Sequence, residues 1–258
     1  MLKTTLGMGL GLILLSTVAA WSGTPFGGDE SGWAPPDVPS GPTTRCETSV
    51  VKNLSRFSDC TSKCHIRLAL EKFAPGGEES CEGDCLSKYD KQASVILGKP
   101  GGCPPCLAAS PQVGLAGHVL NQLETANGMT YCAGSTPFGG DDTGFVPPDL
   151  PHGATARCEI SVAMNLSRLS ECVSKCHVRL GLGEFAPGGE DSCDGDCEFK
   201  YLKQASLILG KPGGCPPCIT GSPQESLGLQ LMTQLDARNG SIYCASPSGA
   251  FIDGIGEF

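Results

Sequence analysis

Aromatic side chains are scarce: 2 Trp, 4 Tyr and 9 Phe make up 6% of the 258 residues. So few rings are poor material for walling a large apolar cofactor. Positive charge is short as well, with 18 Lys+Arg against 27 Asp+Glu and a net charge of -9. A nucleic-acid partner is excluded on that ground, since phosphate binding needs clustered positive charge. No segment alternates apolar and polar residues convincingly, so strands are not expected and the fold class reads as all-α. Beyond the first twenty residues no run is apolar enough to cross a membrane.

Cysteine, glycine and proline are abundant instead, at 16, 36 and 20 residues. An even, dense set of cysteines belongs to an oxidising compartment or to a metal or haem protein. The start of the chain points the same way. Lys3 precedes an apolar run from Leu6 to Val18, and Val18-Ala19-Ala20 offers the small residues of a cleavage site. Residues 1–20 therefore read as a signal peptide cut near Ala20, and the protein as secreted or periplasmic.

The remainder is one sequence written twice. Thr24-Pro-Phe-Gly-Gly-Asp recurs at Thr136, and every cysteine recurs at the same offset of 112. Cys46, Cys60, Cys64, Cys81, Cys85, Cys103, Cys106 and Cys132 map onto Cys158, Cys172, Cys176, Cys193, Cys197, Cys215, Cys218 and Cys244. Roughly two-thirds of the aligned positions are identical. So long a period implies tandem domains, because solenoid repeats run about 20–50 residues. The expected layout is a Gly/Pro-rich leader over 21–42, a helical repeat over 43–133, a linker over 134–154, a second repeat over 155–245 and a tail over 246–258. Asp29-Glu30 and Asp141-Asp142 in the leader and linker lack the ordered oxygen series that calcium requires.

Three helical segments are predicted per copy. In the first, positions 46, 50, 54, 57, 60, 64 and 68 are apolar or Cys, at steps of three and four, which make one helical stripe. Thr44 with Glu47 forms a capping-box pattern at its start. The second carries Cys81, Cys85, Tyr89, Ala93 and Ile96 and ends at Gly98-Lys-Pro-Gly-Gly. The third runs from about Gln112 to Ala126, with Asn127-Gly128 as its stop. Such a thin core needs covalent support.

Cys60-x3-Cys64 and Cys81-x3-Cys85 each place two thiols on one helical face. Antiparallel pairing of the two helices joins Cys60 to Cys85 and Cys64 to Cys81, because both pairs centre beside the Pro75-Gly76-Gly77 turn. The same centre sets Cys46 near Cys103. Cys106 with Cys132 then follows by elimination, with Pro111 expected to bend the chain between them. In the second copy the pairs are Cys172–Cys197, Cys176–Cys193, Cys158–Cys215 and Cys218–Cys244. Each copy would thus close up to four disulfides of its own. The twin pattern resembles the disulfide-stapled helical hairpins of other small Cys-rich proteins.

Two alternatives use the same residues. Cys60, Cys64 and His65, with Cys172, Cys176 and His177, resemble a stretched haem c attachment site and would make a dihaem electron carrier. A sixth ligand is not found in both copies: His118 aligns with Gln230, and Met129 with Ser241. Cys103-Pro-Pro-Cys106 and Cys215-Pro-Pro-Cys218 look like redox dithiols, which would make a thiol-disulfide oxidoreductase. The β-α-β setting of that chemistry is missing, and Pro-Pro suits a rigid turn feeding two bridges. Zinc is not expected. On the disulfide reading, His65 is a surface residue beside a bridge, and Lys63, Arg67, Lys175 and Arg179 are a solvated face. Glu78, Glu79, Glu82 and Asp84 favour the dipole of the second helix. Asn53, Asn165 and Asn239 sit in glycosylation sequons. No catalytic triad, phosphate loop or recurring acid pair in a cleft stands out.

The leader Gly139-Gly-Asp-Asp-Thr-Gly-Phe-Val-Pro-Pro148, with Lys-Cys-His, Gly-Cys-Pro-Pro-Cys and Asn-Gly-x-x-Tyr-Cys, resembles uncharacterised exported Cys-rich tandem-repeat proteins of bacteria. The resemblance spans nearly the whole chain after residue 20. It implies export and a repeated helical module, and brings no catalytic residues. The expectation is an exported structural or binding protein, not an enzyme, with no cofactor and with a protein or cell-surface ligand as partner.

Overall fold

The computed structural model describes residues 37, 39–74, 76–132, 149, 153–186 and 189–244. The signal peptide at 1–20, most of the leader and linker with their acidic pairs, and the tail at 246–258 lie outside the described residues. Six helices and no strand occur among those described: α1 Pro42–Ala69, α2 Gly77–Leu97, α3 Ala109–Thr130, α4 Ala154–Gly181, α5 Gly189–Leu209 and α6 Gly221–Ile242. Short 3-10 turns at Pro105–Leu107 and Pro217–Ile219 precede α3 and α6. The all-α expectation agrees with this.

The stripe of α1 is buried as its spacing implies, with Val50, Leu54, Phe57 and Cys64 in the core. Its start differs from the expected capping box. Pro42 occupies the first turn, where its missing N–H costs nothing. The cap comes from outside the helix: the Asp37 carboxylate accepts from Thr43 N at 2.8 Å, Thr44 N at 3.0 Å and Thr44 Oγ1 at 2.7 Å. Asp149 repeats this at α4, accepting from Thr155 N and Ala156 N. These bonds favour the ionised form, and although burial opposes it, both carboxyls stay below their ordinary pKa. Glu47, released from capping, is fully buried.

Helix α2 folds back on α1. Asn53 Nδ2 donates to Tyr89 O at 3.0 Å, and Tyr89 OH donates to Gln112 O at 2.8 Å, which ties in α3. The same bonds recur from Asn165 to Tyr201 O and from Tyr201 to Gln224 O. The asparagines of the first two sequons are thus buried and committed to helix–helix bonds, so neither is a glycan acceptor in this fold. After α2 the chain turns through Gly101, at φ 92°, where a side chain would strike Pro42 at 2.6 Å. That close turn returns Cys103 to the start of α1. Helix α3 does not stop at Asn127-Gly128 but continues to Thr130.

The structure joins Cys60 to Cys85, Cys64 to Cys81 and Cys46 to Cys103, and likewise Cys172 to Cys197, Cys176 to Cys193 and Cys158 to Cys215. The last two pairings depart from expectation. Cys106 bonds Cys244, and Cys132 bonds Cys218, so both bridges cross between the copies. Each copy closes three disulfides of its own, not four. The reason is length. A 22-residue helix α3 carries its end about 33 Å from its start, at 1.5 Å per residue, and Pro111 sits in its first turn without bending it back.

The copies meet along α1 and α4, which run antiparallel. Asp59 and Ser167, both near mid-helix, share a hydrogen bond at 3.3 Å. Val178, Ile242, Tyr243 and Cys244 join the core around the first half of α1, while Ala163 packs with Leu68, Ala69 and Tyr131 at its far end. The exchange is reciprocal, as an approximate twofold axis between α1 and α4 requires.

Candidate functional site

His65 is not on the surface. Helix α1 is covered by α2, α3 and α4 together, so burial extends past one stripe to Thr61 and His65. His65 Nε2 lies 2.5 Å from Glu82 Oε1 and 3.0 Å from Glu78 Oε1. Helix α2 supplies both carboxylates, four residues apart and therefore on one face. Glu124 of α3 lies close enough to the same group for its carboxyl to feel Glu82, His65 and Glu78. The second copy builds the matching cluster. His177 Nε2 lies 3.2 Å from Glu190 Oε1, 3.6 Å from Asp194 Oδ2 and 3.1 Å from Asp236 Oδ1.

The two clusters correspond residue by residue: His65 to His177, Glu78 to Glu190, Glu82 to Asp194 and Glu124 to Asp236. Charge is kept while two side chains shorten. Burial opposes protonation of His65, but the Glu78 and Glu82 carboxylates outweigh it and hold the imidazole above its ordinary pKa. His177 is held well above it, against the same burial, by Asp194, Asp236 and Glu190. Burial, with Glu82 and Glu78 nearby, raises Glu124, and burial raises Glu190. Each cluster brings one nitrogen and two carboxylates within 4.8 Å of one another, His65 with Glu78 and Glu82 and His177 with Asp194 and Asp236, a donor set suited to general acid–base work or to a divalent cation. The sequence did carry a signal for it. Acidic residues recur as acids in both copies, with Glu exchanged for Asp, at four-residue spacing on the second helix.

The other candidate residues fall elsewhere. Cys60 and Cys64 are taken by Cys85 and Cys81, so a porphyrin would have to displace two disulfides, and His65 Nε2 faces carboxylates. The same holds for Cys172, Cys176 and His177. Cys103 and Cys106 bond different partners, as do Cys215 and Cys218, so neither pair closes the small ring of a redox dithiol. Lys63 and Lys175 are exposed and pair with Asp59 and Glu171. Arg67 and Arg179 are not simply solvated, since each stacks on a ring, Phe73 at 4.5 Å and Phe185 at 4.4 Å. A cavity of about 90 Å³ lies on the seam between the copies, lined by Leu54, Val119, Leu235 and Ile242 among others, and is too small for a drug-sized ligand.

No family model, curated protein or solved structure matches the chain. None of the described helices is long and apolar enough to cross a membrane.

Proposed function

We propose that the chain is an exported structural or binding protein without catalytic activity, acting in an oxidising extracellular or periplasmic space. The observation that carries this reading is the covalent frame: eight disulfides bind all 16 cysteines, and two of them cross between the copies. Disulfides at that density persist only where the surroundings are oxidising. A frame closed at both ends of a twofold pair presents two equivalent faces in fixed relation. Two fixed faces favour a repeated target, because the second contact forms at high effective concentration.

The test is intact mass of the exported protein, with and without reductant, together with absorption near the Soret band. A non-reduced mass lower by sixteen hydrogens, with no haem absorption, is the expected result. A mass carrying two haems, or free thiols at Cys103 and Cys106, would replace this reading with an electron carrier or an oxidoreductase.

A further inference from the structure

We propose that each copy binds one divalent first-row transition cation, through His65, Glu78 and Glu82 in the first and His177, Asp194 and Asp236 in the second, whose donor atoms lie within 4.8 Å of one another, with Glu124 and Glu190 beside them. The inference deepens the binding reading by naming a ligand, and it rests on geometry that export or partner choice would not alter.

The nitrogen decides between hydrogen bonding and metal ligation. Nε2 of a histidine carries at most one proton, which can serve one carboxylate well. Around His177 three carboxylate oxygens lie 3.1, 3.2 and 3.6 Å from that single nitrogen. Ligands bound at about 2.1 Å sit about 3.0 Å apart at right angles and about 3.4 Å apart at the tetrahedral angle. The separations around His177 fall close to that range, as does the 3.0 Å from His65 to Glu78, while Glu82, hydrogen-bonded to His65 at 2.5 Å, must draw back by about 0.5 Å to share an ion. One cation can therefore satisfy three oxygens that one proton cannot.

The unsatisfied atoms point the same way. Glu78 is 1% exposed, and its Oε1 faces Nε2 at 3.0 Å outside hydrogen-bond geometry. Glu190 Oε1, on a side chain 4% exposed, faces His177 Nε2 likewise, and Asp194 Oδ1 is buried without a hydrogen bond. A buried carboxylate oxygen with no donor is costly unless an ion meets it.

The donor set narrows the metal. An imidazole with carboxylates suits Zn²⁺, Fe²⁺ or Mn²⁺, whereas Ca²⁺ and Mg²⁺ take oxygen ligands. The third helix supplies the open side, where Asp236 is 29% exposed and gives an ion its way in.

The test uses the intact, disulfide-bonded chain, stripped with EDTA and titrated calorimetrically at neutral pH with Zn²⁺ and Mn²⁺, with Ca²⁺ and Mg²⁺ compared. Two transition ions per chain, bound in preference to Ca²⁺ and Mg²⁺, are expected. His65→Gln or His177→Gln should reduce the count to one, and the double variant to none. Because those histidines are buried, Glu124→Gln and Asp236→Asn serve as gentler probes. Each should weaken its own site about 10–100-fold or more, with the helical signal and all disulfides kept. Co²⁺ absorption of the nitrogen–oxygen type should vanish in step with the count. The proposal is overturned by any of three results in a correctly oxidised chain. These are no saturable binding below about 1 mM, the weak end of extracellular sites; two ions still bound by the double histidine variant; or Ca²⁺ bound as tightly as Zn²⁺. Eight intact disulfides with no metal binding would leave the exported-scaffold reading standing and remove this one alone.

Discussion

Both carboxylate oxygens of Glu47 are buried without a hydrogen-bond partner, and so are those of Glu159. Burial, with Asp37 adding repulsion, pushes the Glu47 carboxyl up to about 9, and burial with Asp149 pushes Glu159 up to about 8. Across the seam, the Glu47 charge adds to burial in keeping the Tyr243 phenol protonated. A carboxyl whose folded pKa is raised binds its proton more tightly when folded. Its contribution to stability is therefore complete below about 4.5 and is lost as pH rises through about 9. We expect the melting temperature to fall between pH 5 and pH 9, and Glu47→Gln with Glu159→Gln to flatten that fall. A wild-type profile that rises over this range would refute the assignment. His65 gives a second residue-scale expectation. Its replacement by Gln strands two buried carboxylates, so the loss should be about 3 kcal/mol in a metal-free denaturant titration. Read on the stripe of α1 alone, the same substitution is neutral. The stripe shows where α2 packs; it does not show that α3 and α4 cover the other sides, and only that enclosure buries His65.

Helices α1 and α2 were legible because their pairing is local and repeats every turn. The two rungs between them span 25 and 17 residues of chain. Each is worth about 3 kcal/mol in the chain-entropy model. Cys60→Ser with Cys85→Ser should accordingly lower the melting temperature of the intact protein markedly, while leaving its remaining disulfides unchanged in peptide maps. Asn53→Ala removes the bond to Tyr89 O and should cost about 1–3 kcal/mol, with Asn165→Ala matching it in the other copy. Helix α3 was less legible. Asn-Gly is a fair stop signal, and Gly inside a helix costs about 1 kcal/mol. Here the helix runs on because its end is anchored, by buried Tyr131 and by the Cys132–Cys218 bridge. Cys132 and Cys244, just beyond α3 and α6, adopt φ of 58° and 52°, a helix-ending conformation usually left to Gly. The bridges account for a cysteine at that position.

Over the whole molecule the crossed bridges were the least legible feature. Eight cysteines per copy satisfy parity within each copy, so nothing in the count asks for an exchange. Reciprocity changes what one copy should do alone. Cys106–Cys244 and Cys132–Cys218 are the same contact seen from either side of the twofold axis. Residues 134–245 on their own, with Cys218 and Cys244 lacking their partners, should therefore assemble as a homodimer joined by two Cys218–Cys244 bonds between chains. Non-reducing electrophoresis and sedimentation of that fragment check this. A stable monomer with four internal disulfides would restore the self-contained copy that the sequence suggests.

The crossing also sets a clock. Cys106 waits for a partner 138 residues further along the chain, and Cys132 for one 86 residues on. At about 5–20 residues per second the longer wait is about 7–28 s. Through that interval the first half has two unmatched thiols, and oxidation before α3 has formed to hold them apart couples them to each other. Undoing the error needs thiol–disulfide exchange, which takes minutes to hours without help. Yield of correctly joined protein should thus depend on how fast the chain is delivered relative to how fast it is oxidised.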